Sequence, residues 1–278
     1  MTINQTLKHA YEKIAPTDAE ILLSFVLKKD KIFLYKNPDY KLTANDQRQF
    51  ARFVTRRIAG EPIAYILNYQ EFYGLDFYIN KNVLIPRPGT ELLVEEVIKR
   101  VKRDKGIRRN KGVIKIADVG TGSGCVAIAI ATELRIMNQE SRIFATDISE
   151  KALKIAKKNA QKHKVENGII FLPGDLLAPL PEKMDIIVTN LPYIKSGKTV
   201  PRFEPSNSLY AGEDGLDLIK KLLEQAPKYL KKSGVIFLEI SPEQKTTLQN
   251  FILEKLLPLR GKFKKDLQGL YRLLIIKI

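Results

Sequence analysis

The chain has 278 residues and is 44% hydrophobic and 28% charged, the composition of an ordinary soluble globular protein with room for two unequal domains. Its single cysteine excludes an internal disulfide, and with two histidines it makes a metal site unexpected. The net charge of +16 predicts a basic surface, and a dedicated nucleic-acid face is the less favoured interpretation. The sequence shows no signal peptide and no apolar run long enough for a membrane span, so we expect a cytoplasmic protein that does not enter membranes.

Short helices are predicted over residues 1–70. Thr17 and Glu20 have the spacing of a capping box ahead of the apolar run "ILLSFVL". Thr43 opens a longer helix, in which four apolar side chains are predicted to share one face: Phe50, Phe53, Val54 and Ile58. Residues 71–88 follow as a predicted hairpin linker, because "EFYGLDFYIN" and "VLIP" alternate in the manner of strands.

Residues 89–278 form the second domain in this division. From Val113 onward, strand-like and helix-like segments alternate, which is typical of a parallel sheet covered by helices on both faces. The predicted strands are "VIKIADV", "RIFATD", "GIIFLPG", "MDIIVTN" and "GVIFLEI". Two apolar runs about Gly269 close the chain as an antiparallel pair, so the predicted fold class is a doubly wound α/β sheet with a reversed last strand.

Three polar features follow successive strands of this predicted sheet. The segment "DVGTGSG", Asp118–Gly124, joins a strand to a helix, and its glycines let the backbone turn sharply beside a ligand. Asp147 ends the next strand, where a carboxylate can accept hydrogen bonds from both hydroxyls of a ribose. Asp175 follows the third strand. Since open α/β sheets bind ligands at the carboxyl ends of their strands, these features together predict a nucleoside site.

The spacing of the glycines indicates which nucleoside cofactor is bound. A dinucleotide-binding loop has the pattern G-x-G-x-x-G, whereas this loop has G-x-G-x-G and continues with Cys125. The phosphate-binding pattern G-x-x-x-x-G-K-[ST] does not occur in the sequence. A tight turn and a ribose-binding carboxylate without a phosphate-binding device favour S-adenosylmethionine, with S-adenosylhomocysteine as the product.

The stretch "NLPY" leaves a buried strand beside this site. An amide nitrogen is a poor nucleophile, and it can be helped if both of its hydrogens are held so that the lone pair faces the electrophile. The Asn190 side-chain oxygen and the Leu191 backbone carbonyl can supply the two acceptors. Pro192 donates no N–H and favours an extended Leu191, and Tyr193 can stack on a planar substrate group. The stretch therefore predicts methylation of a planar amine or amide.

With these motifs, the chain resembles the PrmC/HemK-type glutamine methyltransferases, which methylate a glutamine side chain of peptide chain release factors. The resemblance runs from about Ala51 to the C-terminus, and its more specific segments are "RRIAGEPIAYIL", "VLIPRP" and "EPSNSLYAGEDGLDL". It implies a Rossmann-like class I methyltransferase sheet and a helical domain over 1–70 that docks the release factor; we expect a monomer. It assigns the glutamine amide to Asn190, Leu191, Pro192 and Tyr193. The residues it assigns to the cofactor are Gly120, Thr121, Gly122, Ser123, Gly124, Asp147, Asp175, Leu176 and Asn190.

Two positions depart from the family pattern. The family motif is usually N-P-P-Y, and Leu191 replaces its first proline. The role assigned to that position is a backbone carbonyl, which leucine also has, so we expect function to survive with a looser turn. Gly89 stands where the family pattern P-R-P-[DE]-T-E has an acidic residue, while Arg87, Thr90 and Glu91 of that pattern are present.

Three alternatives for the function stay open. The form N-L-P-Y also occurs in adenine methyltransferases that act on RNA, where an exocyclic amino group poses the same two-hydrogen problem. A glutamine methyltransferase that acts on a ribosomal protein shares the catalytic motif. A non-catalytic nucleotide- or RNA-binding module would keep the sheet and tolerate substitution of Asn190. The upstream helical domain and the "EPSNSLYAGEDGL" segment favour glutamine.

Overall fold

The computed structural model describes residues 1–103, 112–192, 202–205, 212, 214–256 and 260–277, and the chain divides into two compact units. The first unit, Met1–Tyr69, is helical. Its helices are α1 (Ile3–Tyr11), α2 (Pro16–Leu27), α3 (Lys31–Lys36), α4 (Ala44–Ile58) and α5 (Ile63–Leu67). The division of the chain into functional domains at 70 and 88 stays a prediction.

Local capping explains where the helices of the first unit begin. Thr43 caps α4, because its hydroxyl accepts from the Asp46 N–H at 3.1 Å and the Asp46 carboxylate accepts from the Thr43 N–H at 3.0 Å. The capping box predicted at Thr17 and Glu20 is wrong. Helix α2 begins at Pro16, whose fixed φ suits the first helical position, so Thr17 and Glu20 lie inside the helix.

The apolar faces of these helices pack together as the core of the first unit. Phe50, Phe53 and Val54 of α4 are buried, as their spacing predicts. The predicted face is buried as far as Val54, whereas Ile58 at its end is 55% exposed. Ile58 is the last residue of α4. The core is completed by residues of the shorter helices, among them Ile3, Leu7, Leu22, Leu23 and Leu34.

The second unit, Gln70–Ile278, opens with a β-hairpin. Strands β1 (Tyr69–Phe72) and β2 (Leu75–Tyr78) form a two-stranded sheet. Tyr73 and Gly74 between them have φ of 54° and 69°, the left-handed pair that a type I′ turn requires. The predicted hairpin is therefore present, with a two-residue turn.

The segment after the hairpin is not a strand, which corrects the prediction made for "VLIP". Residues 84–87 have no regular secondary structure, and prolines at 86 and 88 cannot donate to a strand ladder. A 3₁₀ turn at Pro88–Thr90 leads directly into α6 (Glu91–Arg103). This turn brings Thr90 to the start of a long helix.

A seven-stranded sheet dominates the described part of the second unit. Its strands are β3 (Ile114–Val119), β4 (Ser141–Asp147), β5 (Ile169–Pro173), β6 (Met184–Thr189), β7 (Leu230–Glu239), β8 (Arg260–Lys265) and β9 (Tyr271–Lys277). The order across the sheet is β5-β4-β3-β6-β7-β9-β8. The strands β5, β4, β3, β6 and β7 run parallel to one another, whereas β9 runs antiparallel to β7 and β8. The predicted fold class, including the reversed last strand, is confirmed.

Helices connect and cover the strands: α7 (Cys125–Ile136), α8 (Glu150–Lys162), α9 (Asp217–Tyr229) and α10 (Lys245–Lys255). Helix α7 follows β3 and is apolar almost throughout, since it buries seven consecutive residues, 125–131. Helix α9 is amphipathic and packs its apolar face into the main core of the sheet. Across the described ranges, no helix combines the length and apolarity needed to cross a membrane.

The strand register aligns the carboxyl ends of the central strands. Val119 of β3 pairs with Thr146 of β4 and with Thr189 of β6, and Thr189 pairs in turn with Leu238 of β7. The next residue along each strand therefore lies in one row at the edge of the sheet. That row consists of Asp147, Gly120, Asn190 and Glu239. From β3 the chain adds β4 and β5 on one side of the sheet and then β6 and β7 on the other side. Open α/β sheets have a ligand-binding crevice at such a switch point, here between β3 and β6.

Candidate active site

A cavity of ≈ 340 Å³ lies at these carboxyl ends, and it gathers most of the residues predicted from the motifs. The predicted residues that line it are Gly120, Gly122, Asp147, Asp175, Leu176, Asn190, Leu191 and Pro192. Thr121, Ser123 and Gly124 are not among the lining residues. Tyr193 lies outside the described residues. The cavity is also lined by residues that the sequence did not single out, among them Asn82, Val83, Leu84, Ser149 and Leu218.

Two glycines of the loop after β3 occupy positions that a larger residue could not. Gly120 has φ of 71°, and a Cβ built on it would lie 3.4 Å from the Leu191 side chain across the cavity floor. Gly124 has φ of 82°, and a Cβ there would lie 3.0 Å from the side chains of Ala156 and Ile128. The left-handed backbone favours glycine at both positions, and at Gly124 the close neighbours also leave little room for a Cβ.

A buried carboxylate anchors this glycine loop. Asp118 is 2% exposed, and its Oδ2 accepts from the Thr121 hydroxyl at 2.6 Å and from the Ala127 N–H at 3.1 Å. Burial raises the pKa of Asp118 to about 6, against the opposing effect of these two donors. The Thr121 side chain thus points to Asp118, and its contribution to the cavity is the shape of the loop.

A buried asparagine ties the loop to the hairpin. Asn159 of α8 has no exposed surface, and its Nδ2 donates to the Ser123 carbonyl and to the Tyr78 carbonyl, each at 2.9 Å. Its Oδ1 accepts from the Tyr78 N–H at 2.9 Å. Sequence reasoning missed this residue, although an asparagine on the apolar face of a helix was a visible signal.

Asp147 presents its carboxylate in a geometry that suits a ribose. Its Oδ2 accepts from the Gly122 N–H at 2.9 Å and its Oδ1 accepts from the Ser149 N–H at 2.8 Å. Burial raises the pKa of Asp147, and these two N–H donors act in the opposite direction. Each oxygen retains a second lone pair. The carboxylate can therefore accept hydrogen bonds from the two hydroxyls of a nucleoside while it keeps its bonds to Gly122 and Ser149.

The residues after β5 form another part of the cavity wall. Leu176 is 7% exposed and has φ of 49°, a left-handed conformation that is rare for a bulky residue and is found at ligand-binding sites. Its carbonyl accepts from the buried Thr146 hydroxyl at 2.9 Å, which helps to hold that backbone in place. The preceding Asp175 is about half exposed and forms an ion pair with Lys221. The apolar wall can cover a flat ring, and the exposed Asp175 is less constrained.

Asn190 follows β6 directly and its side chain is fixed at one end. Its Nδ2 donates to the hydroxyl of Thr90 at 3.1 Å, while its Oδ1 receives no hydrogen bond from the described residues. Leu191 is 4% exposed and packs its side chain into the core, so its backbone is held at the cavity. Asn190 and Leu191 thus line the cavity side by side on one stretch of backbone.

The comparison with protein families defines the class of this chain. Residues 110–264 match the model described as a methyltransferase domain, and residues 2–67 match the model described as the PrmC N-terminal domain. The chain is therefore a methyltransferase with a Rossmann-like sheet and a PrmC-type N-terminal part.

Curated relatives narrow the class to a family. A release factor glutamine methyltransferase of Coxiella burnetii is 38% identical over 271 residues, which cover 94% of this chain and 91% of the relative. The enzyme of the same name from Thermodesulfovibrio yellowstonii is 38% identical over 272 residues, with the same coverage of both chains. The chain belongs to the release factor glutamine methyltransferase family, which confirms the resemblance seen in the motifs.

Solved structures show the same fold. The 16S rRNA N2 G1207 methyltransferase of T. thermophilus, determined with AdoMet and guanosine, superposes with a TM-score of 0.53 at 19% identity. The match covers 75% of this chain and 49% of that chain. At 19% identity this similarity shows a shared fold and does not identify the substrate.

Proposed function

We propose that this chain transfers a methyl group from S-adenosylmethionine to the side-chain amide nitrogen of a glutamine in a peptide chain release factor. Relatives that bear this function in their names align over 94% of the chain. The observation that carries the proposal is the orientation of Asn190, whose Nδ2 is bound to Thr90 so that Oδ1 remains as the acceptor at the cavity.

The cofactor half of the cavity fits a nucleoside. S-adenosylmethionine supplies a methyl group that its sulfonium makes electrophilic, and S-adenosylhomocysteine is the product. We assign the ribose hydroxyls to Asp147 and the adenine to the apolar wall at Leu176, with Asp175 beside it. Gly120 and Gly122 let the backbone approach the cofactor. Thr121, Ser123 and Gly124 act through the shape of the loop.

The substrate half holds the nucleophile. The Asn190 Oδ1 and the Leu191 carbonyl accept the two hydrogens of the glutamine amide, and Pro192 keeps the turn extended. The nitrogen lone pair then faces the methyl group: an N–C bond forms as the S–C bond breaks, and the nitrogen afterwards loses one proton to water. Alignment of this kind can supply about 7–11 kcal/mol of the barrier reduction. Stacking of Tyr193 on the amide stays a prediction.

The partner follows from the same proposal. A release factor is a protein of the translation machinery, so we place the reaction in the cytoplasm, with residues 1–70 as the domain that docks the substrate and the enzyme acting as a monomer. Direct binding of nucleic acid is not required by this reaction, although the net charge of +16 would favour contact with it.

The test is a competition among substrates. The protein is incubated with S-adenosylmethionine carrying a labelled methyl group and, in separate reactions, with release factor, large-subunit ribosomal protein and ribosomal RNA. We expect label in the release factor, and mass spectrometry of its peptides should place the methyl group on a glutamine. Label found only in the RNA or only in the ribosomal protein would reject the proposal.

A further inference from the structure

Thr90 connects the reactive amide to a second element of the fold. It ends the 3₁₀ turn Pro88–Thr90, is 3% exposed, and its N–H donates to the Arg87 carbonyl at 3.0 Å. Its hydroxyl oxygen accepts from the Asn190 Nδ2 at 3.1 Å. A buried hydroxyl that accepts one hydrogen bond still carries a hydrogen of its own, which must find an acceptor elsewhere.

Glu239 is the buried carboxylate on the neighbouring strand that can accept this hydrogen. It is the last residue of β7, and the pairing of Leu238 with Thr189 places Glu239 level with Asn190. Glu239 is 5% exposed, and within the described residues its Oε2 has no hydrogen-bond partner. Burial raises the pKa of Glu239 to about 7, against the opposing effects of a hydrogen bond with Thr90 and of the Arg272 charge.

The cost of this arrangement points to a role beyond stability. A buried carboxylate oxygen without a donor destabilises the folded protein. Among the described residues, no hydrogen bond or ion pair joins Arg272 to Glu239, and the Arg272 Nε donates to Asp266 at 3.2 Å. The carboxylate is nevertheless held in the row of strand ends, level with Asn190.

The chemistry of the three groups fixes the direction of the hydrogen bonds. An ionised carboxylate only accepts, so when Glu239 is ionised the Thr90 hydroxyl donates to it and keeps its oxygen lone pairs for Asn190. Asn190 must then turn its Nδ2 toward Thr90 and its Oδ1 toward the cavity. A reversed carboxamide would present its own N–H groups to the N–H groups of the substrate, which would repel them.

We propose that Thr90 and Glu239 are positioning residues that hold the Asn190 carboxamide with its oxygen toward the substrate amide. They act through Asn190 and touch neither substrate nor cofactor. The inference rests on the proposed function, because it concerns the acceptor for the glutamine amide. It also gives a role to the threonine of the "PRPGTE" segment, which the methyl transfer itself does not use.

The first test removes the hydroxyl and then restores it. Thr90→Val should lower kcat about tenfold, the effect of losing one hydrogen-bond partner, while the Kd for the cofactor stays unchanged. Thr90→Ser keeps the hydroxyl and should stay within about threefold of wild-type kcat. Thr189→Val is the matched control, since its equally buried hydroxyl donates to the Val119 carbonyl at 2.7 Å and not to the amide. A Thr90→Val enzyme with wild-type kcat would overturn the inference.

The second test asks whether the two residues act as one chain. Glu239→Leu should lower kcat as Thr90→Val does, and Glu239→Gln, which keeps an acceptor oxygen, should stay close to wild type. The double variant Thr90→Val/Glu239→Leu should be no slower than the slower single variant, because either change already breaks the chain. Losses that multiply would show independent roles and overturn the proposal.

The controls separate this inference from the proposed function. Wild-type enzyme that fails to methylate release factor would reject the proposed function itself. Wild-type enzyme that methylates release factor, together with unaffected Thr90→Val, would reject only the positioning role. Thermal unfolding and cofactor titration of each variant establish that it is folded, and the Thr90→Val and Thr90→Ser pair decides the matter if Glu239→Leu does not fold.

Discussion

The two halves of the cavity are built from different kinds of contact. At the ends of β3 and β4, Asp118 bonds Thr121 and Ala127, and Asp147 bonds Gly122 and Ser149, all within a stretch of about thirty residues. At the ends of β6 and β7, Asn190 bonds Thr90, which lies 100 residues earlier in the chain. The half that suits the cofactor is thus organised by local contacts, whereas the half that orients the reactive amide depends on the assembled sheet.

Substitution of Asn190 should give the largest difference between the two halves of the cavity, with a large effect on kcat and a small effect on cofactor affinity. Asn190→Ala removes the acceptor for the substrate amide, so we expect kcat to fall by roughly 10²–10³, as when a preorganised hydrogen-bonding group at a reacting centre is deleted. The Kd for S-adenosylmethionine, measured by calorimetry, should change little. A large loss of cofactor affinity in this variant would mean that the two halves are not independent.

Glu239, in the half that orients the reactive amide, should give the next largest effect, which is a pH-dependent change in the free energy of unfolding. The pKa of Glu239 is raised from 4.5 to about 7, so the folded state holds this proton more tightly than the unfolded state. The contribution of this group to stability is therefore fully present below about pH 4.5 and is lost as the pH rises toward 7, by roughly 3 kcal/mol. Glu239→Gln should lack the loss, so its advantage over wild type in urea unfolding should grow between pH 5 and pH 8. An advantage that shrinks with rising pH would contradict the assignment.

The cofactor half should respond in affinity and by a smaller amount. Asp147→Ala should weaken cofactor binding by about 1.5–3 kcal/mol, because the ribose hydroxyls lose a charge-assisted partner. Asp175 is the matched control: its side chain is 45% exposed and already paired with Lys221, so Asp175→Ala should cost less. Equal losses in the two variants, measured by calorimetry, would remove the special role of Asp147.

Most of the sheet could be predicted from the sequence because its pattern is local. Strands buried on both faces give continuous apolar runs such as "DIIVT", and helices between them give a different period, so the alternation is visible along the chain. The errors fall at the start of α2 and at "VLIP", where prolines override the local pattern. Pro16 sets the start of α2 ahead of Thr17, so the predicted capping box lies inside the helix.

The site divides in the same way. The glycine loop, Asp147 and Asn190 can be recognised in the sequence by their residue types and by their positions directly after a strand. The link from Thr90 to Asn190 and the position of Glu239 beside it depend on β7 lying next to β6, which the sequence alone does not specify. Asn159 was missed for a similar reason, since its partners Tyr78 and Ser123 lie 81 and 36 residues away.

Asn159 has a mechanical consequence for the enzyme. One carboxamide, fully enclosed by the protein, bonds the hairpin at Tyr78 and the glycine loop at Ser123. Neither segment can loosen without breaking bonds to the same side chain, so both should open as a single cooperative unit. A displacement of the hairpin by a docking protein would then also displace the glycine loop. Binding of the substrate protein would in this way change the affinity for the methyl donor.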